Sequence, residues 1–292
     1  MKSYLYSALA VTLVQWVALY PSTALGDRLD EMVSPAIHVV NFEDPRSISE
    51  ARFLYVNHQI ENEFVTTGGD AQVYALQLRA AITDRFSFIA TKDGFIDFNP
   101  SAGLPKETGL ADIEAGFKYV VHQERDKGEV VSAQLRYLIP TGDEDVLQGQ
   151  GKGMLHPSVS GAVALSDEVT FMTGTGLRIP MDSESSFFWD IDAQIDYRID
   201  TCYGKWYPLV GASLVHVIDG GNRLPIADEG QDFFNFGASE STGENMVLGA
   251  AGLKYRPIDA VDLGATYQFP LDRQTGTRVI DYRWMFDVSW RF

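Results

Sequence analysis

Apolar and polar residues alternate strictly along the end of the chain. From Ile280 to Phe292, apolar and mostly aromatic residues occupy every second position, and largely polar residues stand between them. The stretch from Phe187 to Asp200 alternates in the same way. Successive side chains of a β-strand point to opposite faces, so both stretches predict strands with one apolar and one polar face.

These alternating stretches are long. Strands of soluble proteins are typically about 5–6 residues long, whereas a strand that crosses a bilayer at a tilt needs about 9–11 residues. About 12 such segments can be read along the chain, and Gly94 predicts a bend in the third. They are residues 51–62, 71–82, 85–98, 110–122, 128–140, 157–165, 168–180, 186–200, 205–218, 243–256, 260–271 and 280–292. The sequence therefore predicts an all-β fold, a transmembrane antiparallel up-and-down β-barrel.

The connections between these segments alternate in length. Short connections follow the even-numbered segments, as at residues 83–84 and 166–167, and the odd-numbered segments are generally followed by longer ones, up to the loop at 219–242. Outer-membrane barrels have the same asymmetry, with short periplasmic turns and longer external loops. An even number of strands brings both chain ends to one side, so both termini are predicted to be periplasmic.

The first residues predict export. Lys2 supplies a positive start, an uncharged apolar stretch follows, and small residues end it, with cleavage after Ala24 or Gly26. We therefore expect a signal peptide at residues 1–26, a periplasmic N-terminal segment at 27–50 and an outer-membrane β-barrel at 51–292. The expected location is the Gram-negative outer membrane, reached by Sec-type export.

Composition narrows the classes of partner. With 23 basic and 40 acidic residues, the net charge of -17 argues against binding of nucleic acid, which needs a basic surface. Cys202 is the single cysteine of the sequence, which rules out an internal disulfide framework and a multi-cysteine metal site. We assign no metal, no cofactor and no catalytic residue, and we expect outer-membrane lipids and a small-molecule solute as partners.

The polar faces of the predicted strands supply candidates for lining the lumen. Both signs of charge occur there, so these side chains can either pair and fill the interior or line a water-filled conduit. Twelve strands enclose more space than the eight that side chains alone can fill. The candidates are Arg79, Asp112, Glu114, Lys118, Arg136, Arg178, Asp190, Asp192, Asp196, Arg198, Lys254, Arg256, Asp262, Asp281, Arg283 and Asp287.

The longest predicted loop, residues 219–242, carries apolar side chains in a polar setting. They are Leu224, Ile226, Phe233, Phe234 and Phe236. Large apolar side chains are unfavourable in water, and clusters of them mark contact sites. We expect this loop either to narrow the pore mouth or to pack on neighbouring loops and lipid headgroups.

Three other kinds of site have candidate residues in the sequence. His156 with Ser158 is the pair that a lipid-acting hydrolase would need. The acidic stretches at residues 143–145 and 228–232 could bind Ca²⁺, although neither has the spacing of an EF-hand. The glycines at residues 149–153 lack the Gly and Ser or Thr positions of a phosphate-binding loop. None of the three outweighs a channel.

Two stretches carry a family resemblance. Residues 109–119, Gly-Leu-Ala-Asp-Ile-Glu-Ala-Gly-Phe-Lys-Tyr, and residues 135–143, Leu-Arg-Tyr-Leu-Ile-Pro-Thr-Gly-Asp, are similar to strands of the MetA-pathway phenol degradation family of channels. The resemblance implies passive uptake of small compounds, aromatic or hydrophobic ones among them. The aromatic strand that ends at Phe292 resembles the signal read by the barrel-assembly machinery. The alternatives are a lipid-acting hydrolase and a structural or surface-binding barrel without transport.

Overall fold

A computed structural model describes residues 28–272 and 279–292. The predicted signal peptide at residues 1–26, with its two cleavage positions, lies outside the described residues. The strands form one sheet of antiparallel neighbours that closes on itself, because β1 pairs with β15 on one side and with β2 on the other.

Among the described residues the helices are short, and strands make up most of the fold. The helix α1 spans Arg28–Glu31, and a 3₁₀ turn spans Glu144–Val146. No helix among the described residues is long and apolar enough to cross a membrane. The strands are β1 Glu50–Ile60, β2 Gly69–Ala81, β3 Phe86–Lys92, β4 Phe95–Pro100, β5 Glu107–Leu110, β6 Ile113–Glu124, β7 Glu129–Ile139, β8 Met154–Ala164, β9 Val169–Pro180, β10 Phe187–Tyr197, β11 Ile199–Thr201, β12 Gly204–Asp219, β13 Asn245–Ile258, β14 Val261–Pro270 and β15 Tyr282–Arg291.

The barrel has 12 wall segments, where a wall segment is one passage of the chain across the barrel wall. Three of them are each divided in two: β3 with β4, β5 with β6, and β10 with β11. The predicted 12-stranded antiparallel barrel is therefore confirmed, and the predicted segments match the wall segments to within a few residues.

The bend predicted in the third wall segment lies at Gly94. This residue has a φ of 133°, a conformation that side-chain-bearing residues rarely adopt, and a Cβ there would collide with the carbonyl oxygen of Tyr74. Its own carbonyl accepts a hydrogen bond of 2.9 Å from the amide of Ala111 in the fourth wall segment. The glycine thus allows β3 to stop and β4 to resume in a shifted position.

The outer face of the barrel is apolar and the inner face is polar. Phe53, Phe117, Leu135, Val210 and Trp290 are about half exposed and point outward. On β10, by contrast, the buried positions include aspartates, and on β15 they include Arg283 and Asp287. This arrangement, apolar outside and polar inside, is that of a barrel in a lipid bilayer.

The two ends of the barrel differ as the sequence predicts. Short turns join β2 to β3, β6 to β7, β8 to β9, β11 to β12 and β13 to β14, whereas the other connections between successive wall segments are longer. The described residues begin and end at the short-turn end, because Arg28 pairs with Asp167 in the β8–β9 turn and the Phe292 amide donates to the Ser49 carbonyl.

The N-terminal segment lies inside the barrel. Every residue from 32 to 46 is buried, so the described part of the segment that the sequence predicts to be periplasmic, residues 27–50, lies largely in the lumen. We call residues 28–49 the inner segment. The inner segment lies in the lumen because side chains of the wall donate hydrogen bonds to its carboxylates and backbone carbonyls. Periodicity along the chain does not reveal these contacts.

Candidate functional site

Glu43 anchors the inner segment to the barrel wall. Its carboxylate accepts hydrogen bonds from the guanidinium of Arg79 at 2.9 and 2.7 Å and from Lys118 Nζ at 2.9 Å. Burial acts to raise the pKa of Glu43, but the charges of Arg79 and Lys118 outweigh it and lower the pKa to about 2. Glu43 is therefore a fixed negative charge between two wall cations.

Arg136 of β7 holds the next turn of the inner segment. Its Nη1 donates to the Val40 carbonyl and its Nη2 to the Asn41 carbonyl, each at 3.0 Å. Its Nε lies 3.1 Å from the carboxylate of Glu114 on β6. A planar guanidinium with five donors suits this combined contact with backbone and carboxylate.

Arginines also hold the inner segment near the short-turn end. Arg256 of β13 donates to the Asp30 and Met32 carbonyls at 3.0 and 2.8 Å. Arg52 of β1 donates to the Pro35 carbonyl at 2.8 Å. Backbone carbonyls that have no partner in a sheet or helix are satisfied in this way by wall side chains.

The loop between β12 and β13, residues 220–244, folds into the other end of the barrel. Its residues 228–234 are buried, and Asp232 forms a two-pronged ion pair with Arg283 of β15 at 2.6 and 3.2 Å. The Arg283 guanidinium lies over the Phe233 ring, with its Cζ 4.4 Å from the ring centroid. The charge of Arg283 lowers the pKa of Asp232 well below its usual range, against the raising effect of burial.

Glu229 organises the loop from within. Its carboxylate accepts hydrogen bonds from the amides of Phe236 and Ala238 and from the Ser186 hydroxyl. The rings of Phe234 and Phe236 pack on Phe98 and Phe64, with centroid distances of 6.2 and 5.8 Å. Glu229 and Asp232, which a calcium reading would use as ligands, are thus engaged in holding the loop.

The predicted pore-mouth residues divide into two groups. Phe233, Phe234 and Phe236 are buried in the barrel, whereas Leu224 is 39% exposed and Ile226 is partly buried against the core. The three phenylalanine rings therefore face inward. The part of all five residues in controlling a pore stays a prediction.

Most of the predicted lumen residues point into the barrel and are buried. These are Arg79, Asp112, Glu114, Lys118, Arg136, Arg178, Asp190, Asp192, Asp196, Lys254, Arg256, Asp262, Arg283 and Asp287. Many of them pair with one another, as Arg178 does with Asp190 on the neighbouring strand at 2.8 Å and as Lys254 does with Asp287 across β14 at 3.2 Å. Their role in lining a conducting pore stays a prediction.

Three predictions about side-chain placement need correction. Arg198 lies at the short-turn end, where it contacts Glu31 at 3.3 Å and Asp200 at 3.2 Å, and is partly exposed. Asp281 precedes β15 and is partly exposed. Ile280 was expected on the lipid face but is fully buried, because the strand begins only at Tyr282 and parity does not apply before it.

A cavity of about 40 Å³ lies where the inner segment, the wall and the loop meet. Basic, acidic and aromatic side chains all line it, among them Lys92, Arg178, Arg223, Asp112, Asp232 and Phe233. A second cavity of about 260 Å³ opens at the short-turn end between Arg28, Glu31, Asp167 and Tyr207. The interior thus offers mixed polar and aromatic surface to a solute.

The contacts of His156 do not favour a hydrolase. Its Nδ1 lies 3.0 Å from the Glu114 carboxylate and its Nε2 lies 3.1 Å from Arg136. Ser158 donates instead to Gln134 at 3.0 Å. Both members of the sequence pair are therefore engaged with other groups.

Sequence reasoning missed one cluster of metal-type donors. His122, Glu124 and Glu129 bring a ring nitrogen and carboxylate oxygens within 4.8 Å of one another at the β6–β7 turn. A register shift between Val120 and His122 places them together, which periodicity alone does not reveal. Lys127 already pairs with Glu124 at 2.5 Å, so the group is an exposed charge network.

No family model matches the chain, and no curated protein matches it. Among solved structures, the chain is similar to the COG4313 outer membrane channel from Pseudomonas putida F1, with 11% identity, 89% of this chain and 100% of that chain covered, and a TM-score of 0.59. The NanC porin is also similar, with 9% identity, coverage of 84% and 98%, and a TM-score of 0.48.

The fold is therefore that of an outer-membrane β-barrel. The specific resemblance to the MetA-pathway phenol degradation family finds no support in these comparisons.

Proposed function

We propose that this protein is an outer-membrane channel through which small solutes pass by diffusion. The observation that carries the proposal is how the lumen is filled. Two separate chain segments fill it, the inner segment from the short-turn end and the β12–β13 loop from the other. Neither segment is a strand of the sheet, so displacement of either one would open the lumen without unfolding the wall.

The character of the interior supports uptake of compounds that have an apolar or aromatic part. Phe233 and Phe234 line the 40 Å³ cavity together with Lys92 and Arg178. Rings stack on flat apolar solutes, and cations attract both carboxylates and ring faces. Aromatic and other hydrophobic small molecules are therefore the candidates.

The proposed location follows from the surface. Outward aromatic residues on β15, Trp284, Phe286 and Trp290, contribute to an apolar belt suited to outer-membrane lipids. Sec-type export by residues 1–26 and insertion by the barrel-assembly machinery through the strand ending at Phe292 belong to the same proposal.

Conductance in planar bilayers tests the function. We expect small, discrete currents from the whole chain and larger ones after deletion of Pro225 to Ser239, because the deletion removes the rings that fill the long-loop end. Heat-modifiable migration on gels verifies that each barrel is folded. If neither folded barrel conducts, the channel proposal fails. Phospholipid hydrolysis that is lost in His156→Ala would favour the hydrolase instead.

A further inference from the structure

A small apolar cavity lies behind the wall where β3 gives way to β4. Its volume is about 20 Å³. The aliphatic part of its lining comes from the inner segment and from the inward faces of β1, β2 and β4: Val39, Val40, Leu54, Val56, Val73 and Ile96. Elsewhere the predicted lumen positions are charged. Thr91, Lys92 and Asp93 of the third wall segment also line this cavity, but most of its surface is apolar, and this sector of the barrel is therefore distinct in chemistry.

The break in the wall explains why space remains there. The β3–β6 ladder ends at the pair Lys92 and Glu114, and the β4–β5 ladder begins at Phe95 and Leu110. The residues between these two pairs are Asp93, Gly94, Ala111, Asp112 and Ile113, of which Gly94 has no side chain and Ala111 has a small one. Side chains alone consequently do not fill the interior at this level.

One polar group in the lining lacks a partner. Gln77 is fully buried, and its amide nitrogen donates to the carbonyls of Val39 and Thr91 at 2.7 and 2.6 Å. These two bonds orient the amide, since the reverse orientation would set oxygen against two carbonyl oxygens. Its Oε1 has no hydrogen-bond partner among the described residues. A buried acceptor without a donor is costly, so a ligand that donates one hydrogen bond is favoured.

An aromatic ring already stands at this cavity. Phe233 lines both this cavity and the 40 Å³ cavity described above, and the Arg283 guanidinium packs on the face of its ring. The free space holds about one water molecule. A solute can therefore enter only when the Phe233 ring moves away and the solute takes the space beside the aliphatic side chains.

We propose that this cavity is a binding site for a small uncharged molecule with an apolar body and a single hydroxyl group, which donates to Gln77 Oε1. The inference rests on the proposed channel function and deepens it by naming the class of solute and its place in the wall. The apolar body lies against Leu54, Val56, Val73 and Ile96, and the ring of Phe233 moves aside.

Binding of fluorinated probes, followed by ¹⁹F NMR on the folded full chain in detergent, tests the site. We expect 4-fluorophenol to bind about three- to tenfold more tightly than fluorobenzene, the range that one net hydrogen bond gives. Methylation of the hydroxyl, in 4-fluoroanisole, removes the advantage. Gln77→Met should also abolish it while fluorobenzene binding stays the same. Gln134→Met, the same change on the inward face of β7 away from the cavity, should preserve it.

The wild-type comparison stands even if Gln77→Met does not fold. Equal binding of the three probes by the wild type would mean that the acceptor is satisfied by water alone, and the proposed site would be refuted.

Phe233→Ala provides a second, independent measurement. Loss of the ring opens the cavity, so both 4-fluorophenol and fluorobenzene should bind several-fold more tightly. Phe234→Ala, the same truncation one residue later, removes a ring that does not line this cavity and should leave binding unchanged. Conductance separates the two proposals. Saturable probe binding without conductance keeps the site and refutes the channel, whereas conductance without saturable binding keeps the channel and refutes the site.

Discussion

The two segments that fill the lumen are held by different chemistry. The inner segment is held mainly by wall cations, with Arg79 and Lys118 on Glu43 and Arg136 on two backbone carbonyls. The β12–β13 loop is held to the wall by the ion pair of Asp232 and Arg283 and by packing of phenylalanine rings. Hydrogen bonds to Glu229 hold the loop together from within.

This difference has a physical consequence. Removal of one partner of a buried ion pair strongly destabilises the packed state, because the remaining charge stays in a poorly solvated place. Ring packing is less specific and tolerates rearrangement. We therefore expect the inner segment to behave as a firmly docked element and the loop as the more easily displaced one.

Removal of the inner segment should have the largest effect. Deletion of residues 28–47, with the signal peptide retained, should raise conductance several-fold above that of the loop deletion, because it exposes Arg79, Lys118 and Arg136 to water. Planar-bilayer recording measures it, and heat-modifiable migration checks folding. Unchanged current through a folded barrel would contradict the assignment of this segment as the main obstruction.

Glu43→Gln should have the next largest effect. It removes the carboxylate that Arg79 and Lys118 share, while Arg79 keeps Glu50 at 2.9 Å and Lys118 keeps the Asp44 carbonyl at 2.7 Å. We therefore expect a cost below the roughly 3–5 kcal/mol of a buried charge left with no partner. The docking equilibrium can be followed by maleimide labelling of Val40→Cys in a Cys202→Ser background. We expect markedly faster labelling in Glu43→Gln. Equal rates in both backgrounds would show that backbone contacts alone hold the segment.

Asp232→Asn should act more weakly and at the other end. Arg283 keeps its hydrogen bond to Gln268 at 3.0 Å, and the rings and Glu229 still hold the loop. We expect more frequent fluctuation between current levels, with little change in labelling at position 40. Faster labelling there would mean that the two segments move together.

Acid should reproduce part of the Glu43 effect. The pKa of Glu43 is lowered from 4.5 to about 2, so its contribution to docking is present above pH 4.5 and declines as the pH falls towards 2. Maleimide reacts with the thiolate, whose fraction falls in acid, so the labelling rate of Val40→Cys is divided by that of the exposed Cys202 of the unsubstituted chain at the same pH. With Glu43 intact, this relative rate should show an acceleration over the range. The acceleration should be smaller in Glu43→Gln, where no carboxylate titrates at that position.

Arg28→Ala should change least. The Arg28 and Asp167 side chains are 44% and 67% exposed, and exposed ion pairs contribute about 0–1 kcal/mol. Conductance and labelling at position 40 should match the wild type. A large effect would place the anchor of the inner segment at its start rather than at Glu43.

The barrel wall could be predicted from the sequence because it depends on local periodicity. Alternation along 280–292 and 187–200 set the inward and outward faces of β15 and β10, and turn lengths set the two ends of the barrel. The glycine at position 94 marked the bend before any contact was known. Where a strand begins later than its pattern suggests, as before Tyr282, parity failed for Ile280.

The contents of the lumen were decided only by the tertiary structure. Glu43 meets Lys118 and Arg79 across separations of 75 and 36 residues, and Asp232 meets Arg283 across 51. The two-residue periodicity of the strands does not predict such contacts, because they depend on how the closed wall brings distant side chains to the same height in the barrel. The sequence by itself determined a wall with a polar inner face, and closure of the barrel determined which segments satisfy that face.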